Sequence, residues 1–194
     1  MADVGSVLLV RHGESEGNRE RVFTRTPDVP LTPAGRAQAL ATAHVLRERF
    51  RPTLLVTSPY VRARQTAQII AEVLSLPVDV EDDLQERSYG EYAGKPYATA
   101  RPGYDPLAYW TWRPPGGESL EEVAARVGAV LDRIVSRAGG DDAVVVSHGG
   151  VMLALWRHVT GDWERPGRVV HNAGILEVRH SGGRYHDAIL LEAP

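Results

Sequence analysis

The chain has 194 residues, of which 43% are hydrophobic and 24% charged, a globular mix that can bury a core without staples and excludes a disordered polymer. A formal charge of -3 offers no bulk attraction to nucleic acid, and the lack of cysteine excludes disulfides and thiolate chemistry. The first residues, MADVGSVLLV, have no basic region, and their apolar run is too short for a signal peptide or membrane span, so a cytoplasmic protein without membrane contact is expected. Val7 to Val10 is a continuous apolar run with branched residues, the pattern of a strand covered on both faces. Residues 19–31, broken by Pro27 and Pro30, read as a loop. Thr32-Pro33 gives an N-cap followed by proline at the first helical position. Ala37, Leu40, Ala41, His44 and Val45 then recur at helical spacing, predicting a helix to about Arg49. Leu54 to Thr57 is a second short strand; Ser58-Pro59 repeats the cap signal ahead of a helix to about Leu74, and Val78 to Val80 is a short extended piece.

Residues 84–117 are rich in Tyr, Trp, Gly and Pro, and a small lid-like insertion is expected there, with at most a short helix near Pro106 to Trp112. Ser119 and Glu122 form a capping box, followed by a helix with Leu120, Val123, Val127, Val130, Leu131 and Ile134 on one face and Gly139-Gly140 as its stop. Ala143 to Val146 is another apolar strand and Val151 to Val159 another helix. Ile175 to Val178 and Tyr185 to Leu191 read as two final strands around a Ser181-Gly182-Gly183 turn. No repeat or linker is seen, so one domain over residues 1–194 is expected. The alternation predicts a three-layer α/β/α sandwich around a mostly parallel, mixed sheet of about six strands.

In such sheets ligands bind beyond the carboxyl ends of the strands. Arg11-His12-Gly13 follows one apolar strand directly, and Ser147-His148-Gly149 follows another in the same way. If those strands are parallel neighbours, both histidines emerge at one edge. A third strand leads into SPYVRARQTA, where Arg62 falls near a helix N-terminus, a position that already favours anions. Arg11 and Arg62 together suit a phosphate gripped in bidentate fashion.

These motifs carry a resemblance to the histidine phosphatases, the superfamily that includes the cofactor-dependent phosphoglycerate mutases. RHGESEGN resembles the nucleophile motif, LTPAGRAQA the helix after it, and SPYVRARQTA the segment with the second arginine. LQERSYGEYAG resembles the general-acid segment, PPGGES precedes the capped helix, and VVVSHGG supplies the second histidine. The resemblance implies a phosphoglycerate mutase-like fold and a phosphohistidine intermediate on His12, in keeping with the chemistry of a neutral imidazole nitrogen. It implies that Arg11, Arg62 and His148 stabilise the transferring phosphoryl group, with Asn18 and Gly149 also at the phosphate. Glu86 resembles the proton donor, which must protonate the leaving oxygen and then deprotonate the attacking water; Glu91 and Asp83 are nearby alternatives. Thr24 and Tyr89 match substrate contacts of the mutases. Tyr109, Trp110 and Trp112 are candidates for a wall beside the leaving group, and His171-Asn172 for the rim. His44, His158, His180 and His186 read as helix-face or strand-surface residues. A zinc set of His12, Glu14, Glu16 and His148 lacks the helical spacing of known ligand pairs, so no metal or cofactor is expected.

The implied activity is a metal-independent phosphomonoester hydrolase of the histidine acid phosphatase type. Its expected partner is a small phosphomonoester, and the oligomeric state stays open. The alternatives are a phosphoglycerate mutase and a phospholigand-binding protein with weak catalysis. Two departures weigh against the mutase. The mutases carry an Asn where this chain has Gly150, and an Arg-Arg pair with a long insertion where this chain has YWTWRPPGGES with Arg113 alone.

Overall fold

The computed structural model describes residues 5–24, 26–99, 110–161, 170–182 and 184–191. Strand β1 (Gly5–Arg11) leads into a short helix α1 (Glu16–Glu20) and then α2 (Pro33–Arg49). Next come β2 (Pro52–Thr57), α3 (Val61–Leu74) and β3 (Asp79–Val80). After the segment that follows β3, α4 (Leu120–Ala138), β4 (Asp142–Ser147), α5 (Gly149–Thr160), β5 (Ile175–Ser181) and β6 (Arg184–Leu191) complete the order.

Among the described residues these strands form one six-stranded sheet, β3-β2-β4-β1-β5-β6. The first four are parallel, while β5 runs antiparallel to β1 and β6 antiparallel to β5. Alternate residues of the central strands serve opposite faces. Val7, Leu9, Ala143 and Val145 pack with Val123, Val127 and Leu131 of α4 and Val151 and Leu155 of α5. Leu8, Val10, Val144 and Val146 pack with Ala43 and Leu46 of α2 and Ala63, Ala67 and Ile70 of α3. The sandwich is thus the expected one, with the central strands β1 and β4 buried on both sides.

The helix ends follow the local chemistry. Thr32 caps α2 by accepting from the Gly35 N–H, Ser119 and Glu122 cap α4 reciprocally, and Gly139 ends α4 in the left-handed region at φ 62°. Three expectations need correction. Residues 19–31 are not all loop, because α1, capped by Ser15 and Asn18, runs into them as far as Glu20. The buried stripe of α2 is Gly35, Ala39, Thr42, Ala43 and Leu46, so Leu40 is exposed. Small residues let this helix press against the sheet, and such residues give a weak hydropathy signal. Finally, α3 starts at Val61 behind Tyr60, with no side-chain cap, so Ser58 is not its cap.

Candidate active site

The sheet register brings the two strand-ending histidines together. Arg11 of β1 pairs with Ser147 of β4, and the residues that follow each are His12 and His148. Their rings meet edge to face with centroids 5.1 Å apart, and both are buried. Gly13 is required by crowding. A Cβ there would strike the Gly35 carbonyl, and a Cβ on Gly35 would strike the Glu14 carbonyl. The loop after β1 is therefore pressed against the first turn of α2.

His12 is fixed by two contacts. Its Nδ1 lies 2.7 Å from the Gly13 carbonyl oxygen, so Nδ1 carries the proton. Its Nε2 accepts from Arg62 Nε at 3.2 Å, which leaves the lone pair facing the guanidinium. Burial first, then the charges of Arg62 and Arg11, hold His12 well below the ordinary histidine value, so it is neutral. Arg62 is held in turn by the Tyr60 ring, 4.9 Å beneath its guanidinium, and the neighbouring Thr66 ties α3 to the Gly13 N–H at 3.1 Å. Arg62 NH1 and Arg11 Nε are buried N–H groups with no acceptor among the described residues, while Arg11 NH1 donates to the Val170 carbonyl at 2.8 Å. Buried donors of this kind normally have partners, so these are set for an anion.

A cavity of about 440 Å³ opens on this cluster. Its lining includes Arg11, His12, Asn18, Thr24, Arg62, Glu86, Tyr89 and Gly149, so the structure gathers these sequence-predicted residues at one place. His148 lies behind His12, and burial, with the charge of Arg62 next, lowers its pKa well below the usual value. It is therefore neutral, a hydrogen-bonding group and not a cation. Burial also holds the Tyr89 hydroxyl protonated.

Glu86 stands at the cavity edge, its Oε1 accepting from the Arg87 N–H at 2.8 Å and its Oε2 from the Gly150 N–H at 3.3 Å. Ser147 Oγ donates to the Leu84 carbonyl at 2.8 Å and ties this segment to the end of β4. The Arg87 guanidinium points elsewhere, to the carbonyls of Glu118 and Trp112. Asp83 and Glu91 are exposed and do not line the cavity.

The other aromatic candidates are structural. Trp110 packs under the Arg157 guanidinium at 4.9 Å and Trp112 against Arg87 at 5.2 Å; neither lines the cavity, and Tyr109 lies outside the described residues. An arginine over an aromatic face accounts for both tryptophans. The cavity wall comes instead from Phe23, Tyr60, Tyr89 and Tyr97. Of the remaining histidines, His180 is buried in β5 and not on its surface, and none of the four lines the cavity.

Two residues carry more than their sequence signal suggested. Asn172 donates to the His12 carbonyl at 3.1 Å and to Asn18 Oδ1 at 3.0 Å. Asn18 Oδ1 also accepts from the Ser15 backbone and hydroxyl, which leaves its Nδ2 on the cavity side beside the Tyr97 hydroxyl. Ser58 contacts His148.

Among the described residues no group of three His, Cys, Asp or Glu side chains is placed to hold a metal ion. Nor is any described helix long and apolar enough to cross a membrane.

Comparison with known proteins gives one family. The histidine phosphatase superfamily (branch 1) profile matches residues 7–188. The uncharacterized phosphatase PhoE of Bacillus subtilis (strain 168) is 34% identical over 156 residues, covering 80% of this chain and 78% of that protein. The 2,3-bisphosphoglycerate-dependent phosphoglycerate mutase of Methylobacterium sp. (strain 4-46) is 37% identical over 164 residues, covering 77% of each. The solved mycobacterial glucosyl-3-phosphoglycerate phosphatase in complex with VO3 superposes with a TM-score of 0.85 at 29% identity, covering 98% of this chain and 100% of that one. The matched profile, the relatives and the shared fold place this chain in the histidine phosphatase superfamily.

Proposed function

We propose that the chain is a metal-independent phosphomonoesterase that works through a phosphohistidine on His12. The observation that carries this reading is the neutral His12, with its Nδ1 proton spent on Gly13 and its Nε2 lone pair held beside Arg62. In the first step Nε2 attacks phosphorus and the bond from phosphorus to the leaving oxygen breaks, while protonated Glu86 gives that oxygen its proton. In the second, Glu86 takes a proton from water, the water oxygen bonds to phosphorus, and the bond to Nε2 breaks. Arg11, Arg62 and His148, with Asn18 and Gly149, meet the charge spread over the phosphoryl oxygens. Thr24 and Tyr89 border the leaving group. Two adjacent guanidiniums make the site hostile to a cation, in keeping with chemistry that needs no metal.

Hydrolysis is favoured over phosphoglycerate isomerisation by three placements. A side chain at Gly150, where the mutases carry asparagine, would press on the Glu86 carboxylate. Arg113 is turned to Glu122 and the Gly117 carbonyl, and Arg87 to backbone carbonyls. Neither is directed at a substrate carboxylate. The test is a screen of phosphomonoesters for phosphate release in EDTA, with phosphoglycerate isomerisation assayed alongside and rapid-quench trapping on wild type and His12→Ala. Phosphate release and an acid-labile phosphoprotein, both absent from His12→Ala, are expected. Isomerisation outpacing release, or label persisting in the variant, would overturn the reading.

A further inference from the structure

Ser58 sits at the end of β2 with no solvent exposure. Its Oγ accepts from the Tyr60 N–H at 3.3 Å and lies 2.7 Å from His148 Nε2. The hydroxyl has one proton to place, and among the described residues His148 Nε2 is the acceptor its contacts offer. A buried donor left without an acceptor is costly, so the proton belongs on the line to Nε2. Nε2 must then be a lone pair, and a neutral imidazole carries its hydrogen on the other nitrogen. That nitrogen, His148 Nδ1, is buried and has no partner among the described residues.

We propose that Ser58 is a positioning residue that locks His148 in the Nδ1–H tautomer, so that His148 donates a hydrogen bond to the phosphoryl group carried by His12. The donor role rests on the phosphohistidine reading of the site. The burial that keeps His148 neutral supports the assignment, since an imidazolium would have a proton on both nitrogens. The reverse tautomer fails twice. It strands the Ser58 hydroxyl without an acceptor, and it turns a lone pair on phosphoryl oxygens that are already negative. The two histidines thus share one tautomer to opposite ends. His12 is locked by Gly13 to show a lone pair, and His148 by Ser58 to show an N–H.

The experiment uses the full chain with 15N-labelled histidine and two-bond 1H–15N correlation at pH 7, without substrate. His148 is assigned among the seven histidines by the signals lost in His148→Gln. Wild type should show His148 protonated on Nδ1 alone. Ser58→Ala should populate the Nε2–H form and lower kcat for p-nitrophenyl phosphate about tenfold to a hundredfold, with KM changed less than about threefold. Ser58→Cys, near in size and a weak donor, should fall between the two in both readouts. An Nε2–H or doubly protonated His148 in wild type overturns the proposal, as does an unchanged tautomer in both Ser58 variants. A chain inactive on every phosphomonoester overturns the catalytic reading instead, and the tautomer measurement does not depend on that result.

Discussion

The carboxylate of Glu86 occupies the space that a side chain on Gly150 would need. A Cβ built on Gly150 would sit 2.6 Å from Glu86 Oε1 and 3.3 Å from Arg87 Cβ. The end of a glutamate is flexible, so the protein can yield there at small cost, but what yields is the proposed proton donor. Gly150→Ala is therefore expected to keep its melting temperature within about 3 °C. Its kcat/KM on an alkyl phosphate should fall about tenfold to a hundredfold, because a misplacement near 1 Å is enough for that. Thermal melts and steady-state kinetics check both; undiminished turnover would show that Glu86 need not stand where it does.

Glu86→Gln keeps shape and loses the acid. A sugar or alkyl alkoxide needs a proton as it leaves, whereas p-nitrophenolate needs it far less. General acid catalysis is worth about 100- to 10,000-fold. In single-turnover phosphorylation of His12 the variant should lose a factor in that range with an alkyl phosphate and much less with p-nitrophenyl phosphate. Equal losses in that step would remove Glu86 from the acid role.

The buried histidines predict an acid limb in stability. His12 and His148 have folded pKa values depressed below the ordinary histidine value of 6.5, chiefly by burial. Below that value the unfolded chain binds protons that the folded chain refuses. Their contribution is thus complete above the unfolded pKa and is lost as pH falls from there toward the folded values. Each histidine steepens the fall by up to about 1.4 kcal/mol per pH unit. Denaturant melts between pH 7.5 and 5 should show His12→Ala with a shallower decline than wild type. Parallel curves would mean that His12 is not held neutral.

Asn172 ties His12, at the end of β1, to Asn18 of α1. Losing two hydrogen bonds at about 1 kcal/mol each, Asn172→Ala should be destabilised by about 2 kcal/mol. Asn18 Oδ1 would then keep only its two bonds from Ser15 and be held less firmly, so KM for p-nitrophenyl phosphate should rise more than kcat falls. Urea titration and kinetics separate the two effects, and a variant with wild-type KM would leave Asn172 a purely structural tie.

Much of this arrangement was legible in the chain itself. Val7–Val10 and Ala143–Val146 announced buried strands through uninterrupted branched residues, and Thr32-Pro33 and Ser119-Glu122 announced helix starts through their caps. Arg11, His12, Arg62 and His148 could be named because each ends or follows a strand or sits near a helix start, whereas Asn18, Thr24, Glu86 and Tyr89 came from the family resemblance. What stayed hidden depended on neighbours distant in sequence. Ser58 has the local signature of a cap and is claimed by His148, 90 residues away. Arg87 adjoins Glu86 in the chain, yet its guanidinium donates to the carbonyls of Glu118 and Trp112 while its backbone N–H serves the carboxylate. Leu40 was assigned to the wrong side of α2 because Gly35, Ala39 and Ala43, the residues that do face the sheet, are too small to register as a hydrophobic stripe.

The pairing of Arg11 with Ser147 has a last consequence. Neighbouring strands lie about 4.8 Å apart wherever they are hydrogen-bonded. The two imidazoles, one residue beyond that pair and 5.1 Å apart, inherit their separation from this repeat. The distance is thus a constant of the sheet, set when β1 and β4 dock and insensitive to what the surrounding loops do. Loops around the site can diverge while the spacing of the two imidazoles stays the same.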